Sequence, residues 1–297
     1  MTGVLLIVHP NAGGGRGARV LPEIVGALRA GGADVVSQLT RDIDHAGELA
    51  AEAAREGLVA VAVGGDGLAG RVAGVSSTHR GLFAALPGGR GNDFVRGLGI
   101  DLDPVRAAEQ FHTWQERAVD IGYVTGPDGQ SQAFLGIASV GFDSDVQVRA
   151  NKTRLIRGSS VYTYAALRTL ASWKPARFTV TADDDEPQTL VGWSVAAANS
   201  AYYGGGMHYA PGARVDDGLL ELITAERTSR LQFLVMLPKV FAGRHIDDPR
   251  VHVRRARRVV VDADRRFQVY ADGDPLADLP AEISVAAGAL RLLAPPP

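Results

Sequence analysis

The chain has 297 residues, 46 % of them hydrophobic and 22 % charged, with a formal net charge of −2; that is room for one large globular domain or two ordinary ones, with no global pull toward nucleic acid. It contains no cysteine, which excludes a disulfide framework, thiolate chemistry and a zinc site built on Cys. Its start lacks a basic leader and no uncharged apolar run approaches the roughly 18–20 residues that span a bilayer, so the expectation is a cytoplasmic protein that meets a membrane, if at all, peripherally.

The first third alternates apolar runs with helical patterns. Val4 to Val8 reads as a strand buried on both faces, followed by a Gly-rich turn and a helix from about 18 to 30 closed by Gly31-Gly32. A second strand covers 34–39, and Asp44 is placed to cap the next helix, whose Ala46, Leu49, Ala50 and Ala53 recur on one face. A third strand, 58–63, stops at Gly64-Gly65; a helix covers 67–76 and a fourth strand 82–86. Strands alternating with helices predict a parallel α/β sheet, and such sheets bind ligands at the carboxyl ends of their strands. The Gly-rich segments 11–17, 64–67 and 88–91 all fall there.

Past Ala118 the character changes. Val119–Val124 and Ala133–Ile137 flank Gly126-Pro127-Asp128-Gly129, a hairpin signal. Strand-like runs follow at 177–182, 189–198, 219–225, 251–262, 267–271 and 282–293, interrupted by helical patterns at about 159–173 and 229–242. Leu231, Leu234, Val235, Leu237 and Val240 are expected in the core, and Trp114, Trp173 and Trp193 are expected to pack rather than bind. Asp183 to Pro187 reads as a solvated turn.

Three loops carry the chemistry. After Val63, the glycines of Gly64-Gly65-Asp66-Gly67 let backbone N–H groups approach an anion, and the next helix adds its positive end. Asp66 repels phosphate, so it suits a ribose hydroxyl, a backbone turn or a magnesium ion; a plain strand-to-helix turn uses the same residues. His9 to Gly15 offers donors at the same sheet edge, and Leu86 to Phe94 places Asn92 and Asp93 to face a ligand or cap a short helix.

These segments continue, in order, into Tyr203-Gly204-Gly205-Gly206-Met207, Asp216-Asp217-Gly218-Leu219-Leu220 and Asp272-Gly273-Asp274. With Pro10 to Gly13, Gly64 to Gly67 and Leu86 to Asp93, the set resembles the bacterial diacylglycerol-kinase-type lipid kinases, in the wider group that includes sphingosine and ceramide kinases. The resemblance implies an α/β nucleotide-binding domain with a parallel sheet (1–118) and a β-rich, sandwich-like lipid domain (119–297), the active site in the cleft between them and the last residues free to pack back on the first domain. It implies ATP-dependent phosphorylation of the hydroxyl of diacylglycerol or a related lipid at a membrane surface, with no transmembrane segment and no nucleic acid; a homodimer is left open. By position, ATP contacts fall on His9, Pro10, Asn11, Ala12, Gly13, Thr40, Gly64, Gly65, Asp66, Gly67, Leu68, Arg71, Gly89, Arg90 and Asn92. Asp93 and Asp120 organise catalytic Mg2+ through water; Asp217, with the carbonyls of Arg214 and Leu219, holds a structural Mg2+; Asp272 and Asp274 are candidates for the base on the lipid hydroxyl. These residue types suit phosphoryl transfer, which needs placement, metal neutralisation and a carboxylate near the attacking oxygen.

The chain departs from the family pattern at Leu68 and Arg90, each in place of Thr, at His9 in place of Asn, and at Asp274 in place of Glu. An arginine at 90 can form charge-assisted bonds to phosphates. A kinase of the NAD-kinase type shares the Gly-Gly-Asp-Gly loop but not the later segments; a binding protein without catalysis is the third reading. Arg250, Arg254, Arg255, Arg257, Arg258, Arg265 and Arg266 crowd one stretch with His252, suiting either anionic headgroups or a charged sheet edge. Lys152, Arg154 and Arg157 precede a helical pattern with Tyr162, Ala165, Ala166, Leu170 and Trp173, expected to pack on a core.

Overall fold

A computed structural model describes residues 3–153 and 160–296. The chain groups into two compact units, 1–121 with 287–297, and 122–286. Where the sequence reading divides the chain at 118/119, these units divide inside one strand, between 121 and 122. Arg154 and Arg157 lie outside the described residues.

The first unit runs β1 (Gly3–Val8), α1 (Leu21–Ala30), β2 (Asp34–Leu39), α2 (Ile43–Glu56), β3 (Val59–Gly64), α3 (Asp66–Thr78), β4 (Leu82–Pro87), α4 (Asp93–Gly97), α5 (Pro104–Gln110) and the start of β5 (Gln115–Thr125). Its parallel strands lie in the order β2-β1-β3-β4. β3 is buried along its whole length and β1 nearly so, which is why both are continuous apolar runs, whereas edge strand β2 buries only Val35 and exposes four of its six residues. The last strand of the chain completes this sheet, pairing parallel with β4 through Arg291↔Leu82 and Leu292↔Phe83. Helix α2 is capped by Asp42, whose carboxylate accepts the His45 N–H at 2.8 Å. Asp44, expected as the cap, instead sits in the first turn: the cap needs extended backbone, which Asp42 has.

The second unit takes in the end of β5, then β6 (Ser131–Phe134), β7 (Ile137–Gly141), α6 (Phe142–Lys152), α7 (Ser160–Leu170), β8 (Ala176–Ala182), β9 (Gln188–Ala198), β10 (Leu220–Glu226), α8 (Arg230–Phe241), β11 (Val251–Ala256), β12 (Arg258–Ala263), β13 (Gln268–Ala271), β14 (Asp274–Asp278) and the start of β15 (Ala281–Ala294). The strands pair antiparallel throughout, with β9 touching β7, β8 and β10. The expected hairpin forms, Thr125 opposite Ser131. The expected strand 251–262 is two strands: β11 pairs with β10, β12 with β8 and β15. The break between them is held by Asp183, whose Oδ1 accepts the N–H groups of Arg257 and Arg258 at 2.8 and 3.0 Å. Helix α6 had no counterpart in the sequence reading; its polar composition hides the Val146 and Ala150 stripe that faces the core.

The core of this unit is aromatic. Trp173 and Trp193 stack at 5.2 Å, Phe142 meets Trp193 edge-on at 5.6 Å, and Phe233 of α8 lies 4.7 Å from Phe142 and 4.4 Å from Trp193. The three tryptophans are buried, as packing residues should be. Helix α8 corrects the sequence reading. Leu231, Leu234 and Val235 face outward at 72, 37 and 61 % exposure, while Phe233, Met236 and Val240 pack inward. The helix is apolar on two stripes, so hydrophobicity alone does not say which one is buried.

Candidate active site

At the carboxyl ends of the parallel strands the three glycine loops pack backbone to backbone. Gly88 N–H donates to the Gly64 carbonyl at 2.8 Å and His9 N–H to the Val63 carbonyl at 3.2 Å. A Cβ on Gly89 would stand 2.3 Å from the Gly65 Cα, and one on Gly13 would stand 2.5 Å from the Gly88 carbonyl oxygen. Glycine is required here because the loops touch each other. Asn92, with φ 54°, braces the third loop: its Oδ1 accepts the Gly89 N–H at 2.8 Å and its Nδ2 donates to the Gly89 carbonyl at 3.2 Å. Its amide therefore shapes the loop, and Arg90 beside it is exposed.

Pro10, Asn11, Ala12 and Gly13 form a turn after β1, closed by Ala12 N–H on the His9 carbonyl at 3.2 Å; His9 Nδ1 accepts the Asn11 N–H at 3.1 Å. Thr40 follows β2, its N–H on the Val8 carbonyl at 2.8 Å and its hydroxyl buried without a partner. Leu68 is buried beneath Gly64, so what position 68 can offer a ligand is its backbone. Arg71, on the second turn of α3, pairs with Asp44 at 3.1 Å.

Two carboxylates meet at Gly91. Asp66 Oδ1 accepts the Phe94 N–H at 3.0 Å, capping α4 from another element. A Cβ on Gly91 would lie 2.9 Å from Asp93 Oδ2 and 3.0 Å from Asp66 Oδ2, so both acids crowd a space that only glycine leaves open. Burial, then the neighbouring Asp93 charge, push the Asp66 carboxyl up to about 6. Asp120 is buried and accepts the Gly288 N–H at 2.7 Å. Among the described residues no group of three or more His, Cys, Asp or Glu side chains forms a metal cage. A pair of carboxylates around an open space fits Mg2+ nonetheless, because that ion keeps waters and phosphate oxygens in its shell.

In the second unit Asp272 and Gly273, with φ 53° and 97°, make the two-residue turn between β13 and β14. The Asp272 carboxylate accepts two backbone N–H groups, Leu135 at 2.8 Å and Gly136 at 2.9 Å, which fixes its orientation. Asp274 opens β14; desolvation by the surrounding protein raises its carboxyl above the ordinary value although the residue keeps an exposed surface. Asp217 Oδ1 accepts the Leu219 N–H at 3.1 Å, while its Oδ2 pairs with Arg255 at 3.4 Å; Arg214 pairs with Asp216. The positive charge beside Asp217 is thus an arginine.

Beneath α8 lies an apolar cavity walled by Phe142, Trp193, Ile223, Phe233, Met236 and Val240. Two carboxylates, Asp143 and Glu226, are in its lining; Asp143 is pushed up to about 6 by burial against hydrogen bonds from Ser194 and Tyr209, the latter at 3.4 Å. Neither the cavity nor Asp143 was found by sequence reasoning, since its lining comes from several strands and helices far apart in the chain.

Comparison with known proteins adds identity to this geometry. Residues 3–124 match the diacylglycerol kinase catalytic domain, and residues 136–294 match the YegS C-terminal NAD kinase beta sandwich-like domain. A diacylglycerol kinase of Mycobacterium tuberculosis is 33 % identical over 98 % of this chain and 95 % of its own length; one of Bacillus subtilis is 26 % identical over 93 % and 91 %. In fold, the crystal structure of a diacylglycerol kinase from Bacillus anthracis superposes with a TM-score of 0.76 at 22 % identity, over 99 % of this chain and 97 % of the other. The chain belongs to the diacylglycerol-kinase-type lipid kinase family and is a phosphotransferase with an alcohol acceptor.

Proposed function

We propose that this lipid kinase transfers the γ-phosphoryl group of ATP to the hydroxyl of diacylglycerol or a closely related lipid. The observation that carries the reading is the convergence of three glycine loops and the Asp66–Asp93 pair at one sheet edge. Close-packed glycine backbone at the end of parallel strands is what a polyphosphate needs. His9 to Gly13, Gly64 to Gly67 and Gly89 would line the phosphates, with Thr40 and Arg71 toward the nucleoside. Arg90 is exposed at the loop tip, free to form charge-assisted bonds to phosphate oxygens where the family has a threonine.

Magnesium, when bound, neutralises the phosphate charge that builds up in transfer. Asp93 and Asp66 would hold it from the two sides of Gly91, with Asp120 acting through water. The second cation loop of Arg214, Asp217 and Leu219 is a weaker fit, since a cation there has to displace Arg255 from Asp217.

Acyl chains would occupy the apolar cavity beneath α8. Asp272 and Asp274 are the proposed carboxylates for the lipid hydroxyl.

The test is transfer from labelled ATP to diacylglycerol in mixed micelles. Wild type is expected to form a Mg2+-dependent lipid phosphate, and loss of the base lowers turnover by roughly 10²–10⁴-fold. Asp272→Asn and Asp274→Asn then separate the two candidate carboxylates. No lipid phosphate from wild type on diacylglycerols and related hydroxy lipids refutes the reading.

A further inference from the structure

Four of the five arginines between 250 and 258 are paired with carboxylates. Arg250 pairs with Asp248 at 2.7 Å, Arg258 with Glu282 at 2.7 Å, Arg255 with Asp217 at 3.4 Å, and Arg254 with Asp185. His252 meets Glu226 at 3.0 Å.

Five cations without acidic partners gather at one place in the second unit. Arg149 and Lys152 of α6, Lys174 after α7, and Arg265 and Arg266 before β13 line one open groove, against the single carboxylate of Asp145. That carboxylate is engaged by Trp173 Nε1 at 2.7 Å. Among the described residues none of the five cations is ion-paired. Two of them are positioned by neutral partners. Arg265 lies over the Trp173 and Phe267 rings, at 5.0 and 4.9 Å, and donates to the Lys174 carbonyl at 2.7 Å; Arg149 donates to Thr169 Oγ1 at 3.1 Å.

The groove continues into an apolar surface. Arg230, the first residue of α8, donates to the Trp173 carbonyl at 3.3 Å, which joins the start of that helix to the groove wall. From there Leu231, Leu234, Val235 and Phe241 run along the outer side of α8, the last 52 % exposed. These positions recur at helical spacing on one side. Tyr164 and Leu167 of α7 add exposed apolar surface, and Tyr164 itself lines the groove.

An apolar helical stripe bordered by unpaired cations is the pattern of a helix that lies in a bilayer interface. We propose that this face of the second unit seats on an anionic lipid bilayer, the groove cations on headgroup phosphates and the outer stripe of α8 in the acyl boundary. The bilayer is the occupant favoured because α8 also roofs the apolar cavity read above as the acyl site, so the helix that enters the membrane is the one over the substrate's path. The proposal rests on the lipid-kinase reading for that last point alone.

The experiment is co-sedimentation of the full chain, without nucleotide, with vesicles of phosphatidylcholine or of phosphatidylcholine plus phosphatidylglycerol. Wild type is expected to bind the anionic vesicles, to bind neutral ones weakly, and to be released by added salt. Removing two groove cations, Lys174→Ala with Arg266→Ala, should weaken binding about 25-fold, from roughly fivefold for each basic residue near the surface. Lys174→Arg should retain it. Leu231→Ser with Val235→Ser should weaken binding on the order of tenfold or more. Arg258→Ala, a paired arginine outside the groove, should change nothing, and melting curves verify that each variant is folded.

Equal binding to both vesicle types overturns the proposal. So does an equal loss from Arg258→Ala, which would mean diffuse charge, or full binding by the Leu231/Val235 variant. Binding of inorganic phosphate at the groove without vesicle binding would make it a soluble-anion site and overturn it as well. Since no turnover is measured, failure here leaves the phosphotransfer reading standing, and failure of that reading leaves vesicle binding to be judged alone.

Discussion

Gly89→Ala tests the loop packing directly. Its new methyl would lie 2.3 Å from the Gly65 Cα and 2.9 Å from the Gly65 nitrogen, against 3.4–4 Å for ordinary contact. Neither side can yield cheaply. Gly65 is the junction between β3 and α3, and the Asn92 amide holds Gly89 at both its N–H and its carbonyl. Overpacking against backbone belongs at the top of the usual range, about 3 kcal/mol. For a unit of this size that is a melting temperature lowered by roughly 10 °C. Relief requires the loops to separate by on the order of 1 Å, and a misplacement of that size can cost about 100-fold in turnover. Two other glycines supply the comparison, since neither has an atom within 4 Å of a built Cβ. Gly14→Ala brings only the strain of φ 75°, about 1 kcal/mol. Gly26→Ala, inside α1, should stabilise by about 0.5–1 kcal/mol. The assays are thermal unfolding and titration with a non-hydrolysable ATP analogue. If Gly89→Ala melts beside wild type and binds the analogue equally well, the three loops are not packed as described and the argument for a shared phosphate site falls.

Asp66 makes stability depend on pH. Its carboxyl is raised on folding from 3.8 to about 6, so the folded state holds the proton more tightly and wild type loses stability as pH climbs through that interval. Asp66→Asn should therefore melt higher than wild type above pH 6 and converge with it near pH 4; parallel curves from pH 4 to 8 would rule out the raised carboxyl. On α8, Phe233→Ala should cost about 2–3 kcal/mol because its ring sits among Phe142 and Trp193. Leu231→Ala, at 72 % exposure, should stay within about 0.5 kcal/mol; denaturant melts that reverse this order would turn the helix around.

Much of the first unit is legible in the sequence because a buried parallel strand has to be a continuous apolar run, and β3 and β4 end at Gly64 and Pro87 where a loop must turn, with Pro10 just past the end of β1. The hairpin from β5 to β6 is legible for the same kind of reason: its turn chemistry is local. What depends on long-range packing is not. The meeting of Asp66 and Asp93 at Gly91 joins residues on two different strand-to-helix crossings. The pairing of Arg254 with Asp185 and Arg258 with Glu282 is set by sheet neighbours, so a run of arginines could not be told from a free basic surface. Helix α8 was misread because both of its stripes are apolar and only Phe233, through its aromatic neighbours, reveals which one turns inward. Asp272 shows the limit from the other side: its residue type and turn are evident, but the grip of Leu135 and Gly136 on its carboxylate comes from a strand connection far up the chain.

The last strand of the chain has a consequence for the order in which the protein can be made. Leu290, Leu292 and Ala294 are fully buried, and their strand extends the sheet begun by residues near the amino terminus. Domains ordinarily fold as they leave the ribosome, the first-synthesised first. Here the first unit to emerge lacks an edge of its own sheet until residues 287–294 have been made, while the second unit, contiguous in the chain, is complete before that. Removing residues 287–297 therefore acts on the glycine-loop unit, whose loops end at position 91, roughly two hundred residues away in sequence, and a nascent chain stalled before residue 287 carries an open β4 edge for a chaperone to cover.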